Sequence, residues 1–253
     1  MSSTLTSVLI LICVFAGALI GMGLRAILPP HHRDGESRDL VKLGIGFVGT
    51  MAALLLGLLV ASTKASYDVQ KSEVTELSAR IVFLDRVLAH YGKDADGLRE
   101  QLRQGVARML ADIWPEGGVR APQLDPSATG AEGLFEQIEA LAPATESQRF
   151  LKTQAIAVGG EIAKLRWHLF EQSGTSISPP LVMIVVSWLA IIFVGFGYCA
   201  PPNATVAATL FICALSVSSA FFLILEMDRP FGGIIHIRSD AMRAALAHLG
   251  QSS

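Results

Sequence analysis

The sequence predicts an all-α integral membrane protein with four transmembrane helices and a helical cytoplasmic domain inserted between the second and the third. Of its 253 residues, 51% are hydrophobic and only 17% are charged, whereas a soluble domain usually carries more charge. The apolar residues are gathered into four blocks, each close to the ~20 residues that cross the hydrocarbon core as a helix. A long polar stretch with helical periodicity separates the second block from the third.

The first segment, residues 1–64, holds two predicted spans at residues 5–28 and 41–61. The second span continues to Gly92 with neither Pro nor Gly after residue 61 to interrupt it. About 50 residues at ~1.5 Å each would form a helix of roughly 75 Å. Less than half of that length fits within ~30 Å of hydrocarbon, so the helix is predicted to project into water.

Residues 65–178 are predicted to form the cytoplasmic helical domain, because apolar residues recur there at steps of three and four. Thr145 and Gln148 fit a capping box at the start of a long helix that ends near residue 172. Trp114, Trp167 and Trp188 are interpreted as core or interface aromatics. The apolar positions predicted to be buried are Val74, Leu77, Ile81, Leu84, Leu88, Leu98, Leu102, Val106, Met109 or Leu110, Ile113, Phe150, Leu151, Ala155, Val158, Ile162, Leu165, Leu169 and Phe170.

Residues 179–226 hold the third and fourth predicted spans, at residues 181–199 and 204–225, and neither contains a charged residue. Residues 227–253 are predicted to be a cytoplasmic C-terminal loop with a short extended piece, followed by a terminal helix capped by Ser239. The loop between the third and fourth spans has no Lys or Arg, whereas Lys64, Lys71, Arg229, Arg238 and Arg243 flank the other ends of spans two and four. The positive-inside rule therefore places both termini in the cytoplasm of an inner-membrane protein, although Arg33 and Arg38 would then face outside.

The second span carries small residues at steps of three and four, which place them on one helical face. Such a face either lets helices pack closely or lines a pore, where large side chains would block passage. Thr50 could offer its hydroxyl to an ion or bond its own helix. Leu54, Leu58 or Val60 could form a hydrophobic constriction, and Lys64 is either a ring of positive charge or a snorkelling lysine. The candidate pore-lining residues are Gly46, Gly49, Thr50, Ala53, Gly57, Val60 and Lys64.

No motif for catalysis or for a cofactor is found in the sequence. There is no phosphate-binding loop, nucleophile elbow or metalloprotease motif, and no basic run or aromatic platform for nucleic acid. The spans carry essentially no ionisable residues, which argues against a coupled transporter. Cys13, Cys199 and Cys213 lie in apolar segments without disulfide or zinc spacing. His31 and His32 are interpreted as parts of an ordinary loop, so no metal site and no enzyme activity is predicted.

Two stretches resemble a known family. Tyr67 and Asp68, where the second span leads into an acidic helix, and the later stretch LILEMDRPFGG resemble motifs of the bestrophin-like family of bacterial membrane proteins. Ser66 stands where a basic residue is more usual in the first motif. The order of two spans, a helical insert and two spans is also similar. The second motif contains Asp228, Arg229, Pro230 and Phe231, which are interpreted with Tyr67 and Asp68 as a structural clasp or a gating loop.

The resemblance implies a distant relation to bestrophin channels, in which second helices of a homo-oligomer surround a pore. By that analogy alone the assembly would be a pentamer. The function predicted from the sequence is a homo-oligomeric ion channel, which would favour anions if Lys64 lines its mouth. Its predicted partners are the lipid bilayer, small inorganic ions and copies of itself. The alternative is a non-conducting membrane scaffold or sensor whose helical domain binds a soluble partner.

Overall fold

The computed structural model describes residues 3–27, 35–115, 124, 131–172, 174 and 177–251. Within these residues the chain forms eight α-helices, one short 3-10 turn at Lys93–Ala95 and no β-strand. The helices are α1 Ser3–Ile27, α2 Gly35–Tyr91, α3 Asp96–Ile113, α4 Ala131–Ala140, α5 Glu146–Gln172, α6 Pro179–Cys199, α7 Ala204–Met227 and α8 Asp240–His248. The predicted all-α class is confirmed, and the predicted helix through residues 41–92 is the single 57-residue helix α2.

The chain divides into two compact units. The apolar unit comprises Met1–Ser66 and Ser176–Asp228, and the polar unit comprises Tyr67–Thr175 and Arg229–Ser253. Among the described residues, four helices are long and apolar enough to cross a membrane: α1, α2, α6 and α7. α6 begins two residues before the predicted span, because Pro179 and Pro180 occupy its first turn, where the missing N–H groups cost no hydrogen bond.

Helices α1 and α6 of the apolar unit approach each other through glycines. A Cβ atom added to Gly21 would overlap the carbonyl oxygen of Val194, and one added to Gly197 would overlap that of Ala18. A Cβ at Gly17 would lie 2.9 Å from the Ala190 oxygen. Gly17 and Gly21 are four residues apart, the spacing that lets membrane helices pack backbone against backbone. The sequence analysis did not identify this contact.

Two polar contacts hold the ends of the apolar helices. The Arg25 side chain on α1 donates a hydrogen bond of 2.9 Å to the carbonyl oxygen of Cys199, the last residue of α6. The last four carbonyl groups of a helix generally need such donors from outside the helix, and a cation at a helix C-terminus also interacts favourably with the helix dipole. At the start of α7, the Asn203 side chain accepts a hydrogen bond of 2.8 Å from the Val206 backbone N–H.

We expect Gly21→Leu to destabilise the apolar unit, because its side chain would meet the α6 backbone, which cannot move aside as a side chain can. Overpacking of this kind typically costs about 1–3 kcal/mol, and more against backbone. Gly23→Leu is the matched control, since a Cβ at Gly23 meets nothing within 4 Å. Thermal unfolding in detergent should show a lower Tm for Gly21→Leu only; equal Tm values for the two variants would contradict this packing.

In the polar unit, α2 and α5 pack antiparallel. Gln172 donates to Glu73 at 3.1 Å, Arg80 pairs with Glu161, and the Gln148 side chain donates to the Tyr91 carbonyl at 3.1 Å.

The predicted capping box is confirmed: the Gln148 N–H donates to Thr145 Oγ1 at 3.2 Å and the Thr145 N–H donates to Gln148 Oε1 at 3.3 Å. The predicted periodic positions of α2 and α3 are confirmed as core, including Val74, Leu77, Ile81, Leu84, Leu88, Leu98, Leu102, Val106, Met109 and Ile113.

Two aromatic predictions on α5 are wrong: Phe150 and Phe170, which were expected to be buried, are 68% and 40% exposed. Trp167 is 53% exposed, which excludes its interpretation as a core residue and leaves that of an interface aromatic. At about 100° per residue, each lies roughly 90° or more from the centre of the face that buries Ala155 and Val158. The spacing of three and four residues therefore assigned to the buried face of α5 some positions that lie beside it. Trp167 and Phe170 instead contact each other edge to face, with ring centroids 5.7 Å apart.

The C-terminal segment differs from its prediction in two details. Residues 234 and 235 of the predicted extended piece are bends, and residues 236–238 have no regular secondary structure. Ser239 occupies the N-cap position of α8, but its side chain makes no capping hydrogen bond. Its hydroxyl instead accepts a hydrogen bond of 2.9 Å from Arg243 Nε, which the sequence pattern at the helix start does not reveal.

A buried ion pair lies in the core of the polar unit. Asp85 on α2 is 1% exposed and accepts two hydrogen bonds from Arg99 on α3, at 2.8 and 3.0 Å. The hydrogen bond to Asp85 is the main cause that raises the pKa of the Arg99 guanidinium. The paired geometry satisfies both carboxylate oxygens, which compensates for the removal of the two charges from water.

We expect Asp85→Ala to destabilise the polar unit by about 3–5 kcal/mol, because it leaves the Arg99 charge largely buried without its partner. The control is Glu100→Ala, which removes the carboxylate of the exposed Glu100–Arg103 pair on the same helix as Arg99. Exposed pairs contribute little, so this variant should unfold like the parent. Chemical denaturation of the full chain in detergent measures both; an Asp85→Ala variant as stable as Glu100→Ala would contradict the assignment.

Candidate functional site

The apolar half of α2 has one face that packs against its own chain. Ala52, Leu59 and Thr63 are 1%, 5% and 1% exposed. Ile45 and Val48 lie on the same side and pack against the core of the apolar unit. The Thr63 hydroxyl, which is buried, donates to the Leu59 carbonyl at 2.8 Å, so the helix itself satisfies that polar group. This packed face fixes the rotation of α2 about its own axis.

The seven candidate pore-lining residues lie together on a second face, about a quarter turn from the packed face at ~100° per residue. Gly49 is half-buried and the other six are exposed: Gly46, Thr50, Ala53, Gly57, Val60 and Lys64. A Cβ added to Gly46, Gly49 or Gly57 meets nothing within 4 Å. In the described part of the chain these glycines are therefore not sites of close helix packing. The two uses that stay open are contact between copies of the chain and a pore.

A third face, opposite the packed one, carries large apolar side chains. Leu43, Phe47, Leu54 and Leu58 are 72%, 69%, 65% and 62% exposed. Leu54 and Leu58 had been considered with Val60 for a hydrophobic constriction. Of the three, only Val60 lies on the same face as the open glycines, since the other two are about 80° or more from the centre of that face.

Polar groups on the glycine face are few. The Thr50 hydroxyl donates to the Gly46 carbonyl at 2.9 Å, so its proton is directed at its own helix. Of the two uses considered for this hydroxyl, an ion contact and a hydrogen bond to its own helix, the structure has the second. Lys64 is exposed and lies three residues beyond the end of the predicted span. The face thus carries one positive charge at one end and small or apolar groups along its length.

The second group of candidates follows α7. Pro230 and Phe231 are buried in the polar unit, and Phe231 contacts Trp114 edge to face with ring centroids 5.9 Å apart. The Ile237 N–H donates to the Pro230 carbonyl at 2.6 Å, and Trp114 Nε1 donates to the Ile237 carbonyl at 2.7 Å. The turn around Pro230 is therefore held against the end of α3 by Trp114, whose specific role the sequence did not reveal.

The remaining candidates of this group lie on two elements: Tyr67 and Asp68 on α2, and Asp228 and Arg229 directly after α7. Tyr67 is half-buried against the core of the polar unit, whereas Asp68 is exposed. Asp228 is the C-cap residue of α7, and its N–H bonds to the Ile224 carbonyl at 3.1 Å. Arg229 is exposed, and its carbonyl accepts a hydrogen bond of 3.0 Å from the Gly232 N–H. These contacts describe a folded loop, and its gating or clasp role stays a prediction.

No metal-binding group is found in the described residues, where no three His, Cys, Asp or Glu side chains come together. Glu226 is buried and Asp228 is half-buried at the end of α7, but two carboxylates are too few for a calcium site. Glu36 and the loop residues His31, His32 and Asp34, considered above, fall where side chains are not described.

Four long helices, each with an apolar stretch of at least 18 residues that holds at most two charged residues, define an integral membrane protein. Residues 12–242 match the family model of the Bestrophin-like domain. The chain therefore belongs to the bestrophin-like family, and the resemblance drawn from its motifs is confirmed. Membership indicates an ion-channel-like membrane protein, in agreement with the prediction that it is not an enzyme. No curated protein and no solved structure matches the chain.

Proposed function

We propose that this protein is a homo-oligomeric ion channel whose pore is lined by the glycine face of α2. The observation that carries the proposal is that Gly46, Gly49 and Gly57 face open space within the described chain. A glycine in the middle of a helix costs roughly 0.5–1 kcal/mol relative to alanine. An open glycine face therefore needs a use outside the single chain. Family membership favours ion passage as that use.

The two neighbouring faces of α2 support an arrangement of copies around an axis. With the glycine face toward the axis, the packed face stays against the chain's own helices. The large apolar face, which includes Phe47, Leu54 and Leu58, then points sideways toward the adjacent copy. That arrangement covers exposed apolar side chains and leaves only small groups along the opening. The symmetry follows because each copy presents the same two faces to its neighbours.

Selectivity is assigned to Lys64. In a closed ring, each copy contributes one ammonium group at the same height, and a ring of positive charge raises the local concentration of anions. The positive-inside rule places this ring at the cytoplasmic end of the pore, with both termini and the polar unit in the cytoplasm of the inner membrane. The passing ions are small and inorganic, because the face offers no group that would recognise an organic ligand.

The pore assignment predicts that Gly57→Trp abolishes conductance in planar bilayers while the oligomer persists in size-exclusion chromatography. An indole on every copy would fill an opening lined only by small residues. Gly23→Trp on α1 is the matched control, because Gly23 is also an exposed glycine with open space around it. Unchanged current through an assembled Gly57→Trp protein would contradict the pore assignment. Loss of the oligomer would show instead that the glycines are contact sites between copies of the chain.

The charge assignment predicts that Lys64→Glu shifts the reversal potential in a salt gradient toward that of cations, because the ring changes sign. Lys64→Arg keeps the charge and should keep the parent's reversal potential. Raising the salt concentration should reduce the difference between the variants, since screening shortens the range of the ring's field. If current is present and Lys64→Glu and Lys64→Arg have identical reversal potentials, Lys64 does not lie at the pore mouth.

A second candidate function is a non-conducting scaffold or sensor. The exposed aromatic pair Trp167 and Phe170 on α5 favours it, because a partner protein would gain by covering these rings. This candidate predicts no current from the purified oligomer under any ionic condition, and a soluble partner whose binding is lost in the double variant Trp167→Ser with Phe170→Ser.

A further inference from the structure

A cavity of about 120 Å³ lies within the polar unit, where one flank of α3 meets α2, α4 and α5. Leu134 of α4 and Ile162 of α5 line it beside the core. Its floor consists of buried apolar side chains: Ile81, Leu102, Val106 and Met109. Apolar cavities of about 150 Å³ accept benzene, so this cavity has room for one group of about the size of a benzene ring.

A glycine of α3 keeps this cavity open. Gly105 lines it, and a Cβ atom added to Gly105 meets nothing within 4 Å. At ~100° per residue, Gly105 shares a flank of α3 with Gln101 and Arg108, about a quarter turn from the packed face of that helix. A glycine inside a helix is destabilising relative to alanine. An open glycine at this place therefore favours a use for the space that a side chain would fill.

The rim of the cavity is polar and carries positive charge. Gln101, Arg108 and Arg166 line it, and none of the lining residues is acidic. Arg166 has other contacts in the folded chain. Arg108 is exposed, and its Nε approaches the Gln104 carbonyl oxygen at 3.5 Å, the limit of a hydrogen bond. Because no carboxylate in the described part of the chain pairs with Arg108, its guanidinium group is available to an anion.

We propose that this cavity binds a small monocarboxylate whose apolar body is about the size of one benzene ring. The apolar body covers the floor, and burial of apolar surface favours binding. The carboxylate stays at the rim on Arg108, since a guanidinium group can donate two parallel hydrogen bonds to one carboxylate. The volume of about 120 Å³ excludes larger bodies. All lining residues belong to the polar unit, so the site does not depend on ion conduction.

The first test fills the cavity. Gly105→Leu places a side chain in the open space, and Gly97→Leu adds the same side chain to another open glycine of α3 that does not line the cavity. The probe is benzoate, and its Kd for the full chain in detergent is measured by saturation-transfer NMR. We expect the parent and Gly97→Leu to bind benzoate equally, and the Kd to rise by about tenfold or more in Gly105→Leu. An equal Kd for all three proteins, or no binding to the parent, overturns the proposal.

The second test separates the two ends of the ligand and covers the case in which Gly105→Leu fails to fold. Benzamide has the ring without the charge, and acetate has the charge without the ring, so both should bind the parent about tenfold more weakly than benzoate. Arg108→Gln keeps an N–H donor and removes the charge. It should weaken benzoate about tenfold and leave benzamide unchanged. The control is Arg103→Gln, an exposed position of α3 outside the cavity. Equal benzoate binding by these two variants overturns the assignment of the carboxylate to Arg108.

The proposed ring of Lys64 is the competing site for benzoate, because a ring of positive charge attracts any anion. Lys64→Gln leaves the cavity intact, so the cavity assignment predicts an unchanged Kd for benzoate in this variant. Binding that is lost in Lys64→Gln and retained in Gly105→Leu overturns that assignment. The reverse pair of results supports it, whether or not the protein conducts ions.

Discussion

One-sided packing of the apolar half of α2 is the constraint on which the candidate site depends. In hydrocarbon, helices gain little from hiding apolar side chains, so shape decides which faces meet. Ala52 and Leu59 fit closely against the chain's own core, and this contact sets the rotation of the helix. Gly46 and Gly57, about a quarter turn away, are consequently left open. A rotation that buried them would expose the packed face and lose its complementary surface.

Two sets of glycines in this chain have similar spacing and opposite environments. Gly17 and Gly21 on α1 meet the backbone of α6, whereas Gly46 and Gly49 on α2 meet nothing in the described chain. Steps of three or four residues only state that side chains share a helical face. What lies opposite that face is a residue such as Ala190, more than 150 positions away in sequence. The sequence therefore predicted correctly that the glycines of α2 share one helical face. It did not show whether that face packs against another helix of the chain or is left open.

The same distinction explains which parts of the polar unit were predictable. The capping box at Thr145 and the periodic core of α2 and α3 depend on residues a few positions apart, and both were predicted. The Asp85–Arg99 pair and the contact between Trp114 and Phe231 join separate elements, and neither was predicted. For Phe231, the unusual DRPFGG stretch marked a loop of interest, but only the fold identifies its aromatic partner.

The chemistry of the glycine face limits how the proposed pore treats ions. Helical backbone carbonyls are engaged in the helix, and the Thr50 hydroxyl donates to Gly46, so Ala53, Gly57 and Val60 offer no strong ligand to a dehydrated ion. Removing the hydration shell of a small ion without replacing it is prohibitive, since transferring a bare charge to an apolar medium costs tens of kcal/mol. Ions would therefore pass with water around them. A pore of that kind selects by the sign of the charge at Lys64 and discriminates little among anions of one charge.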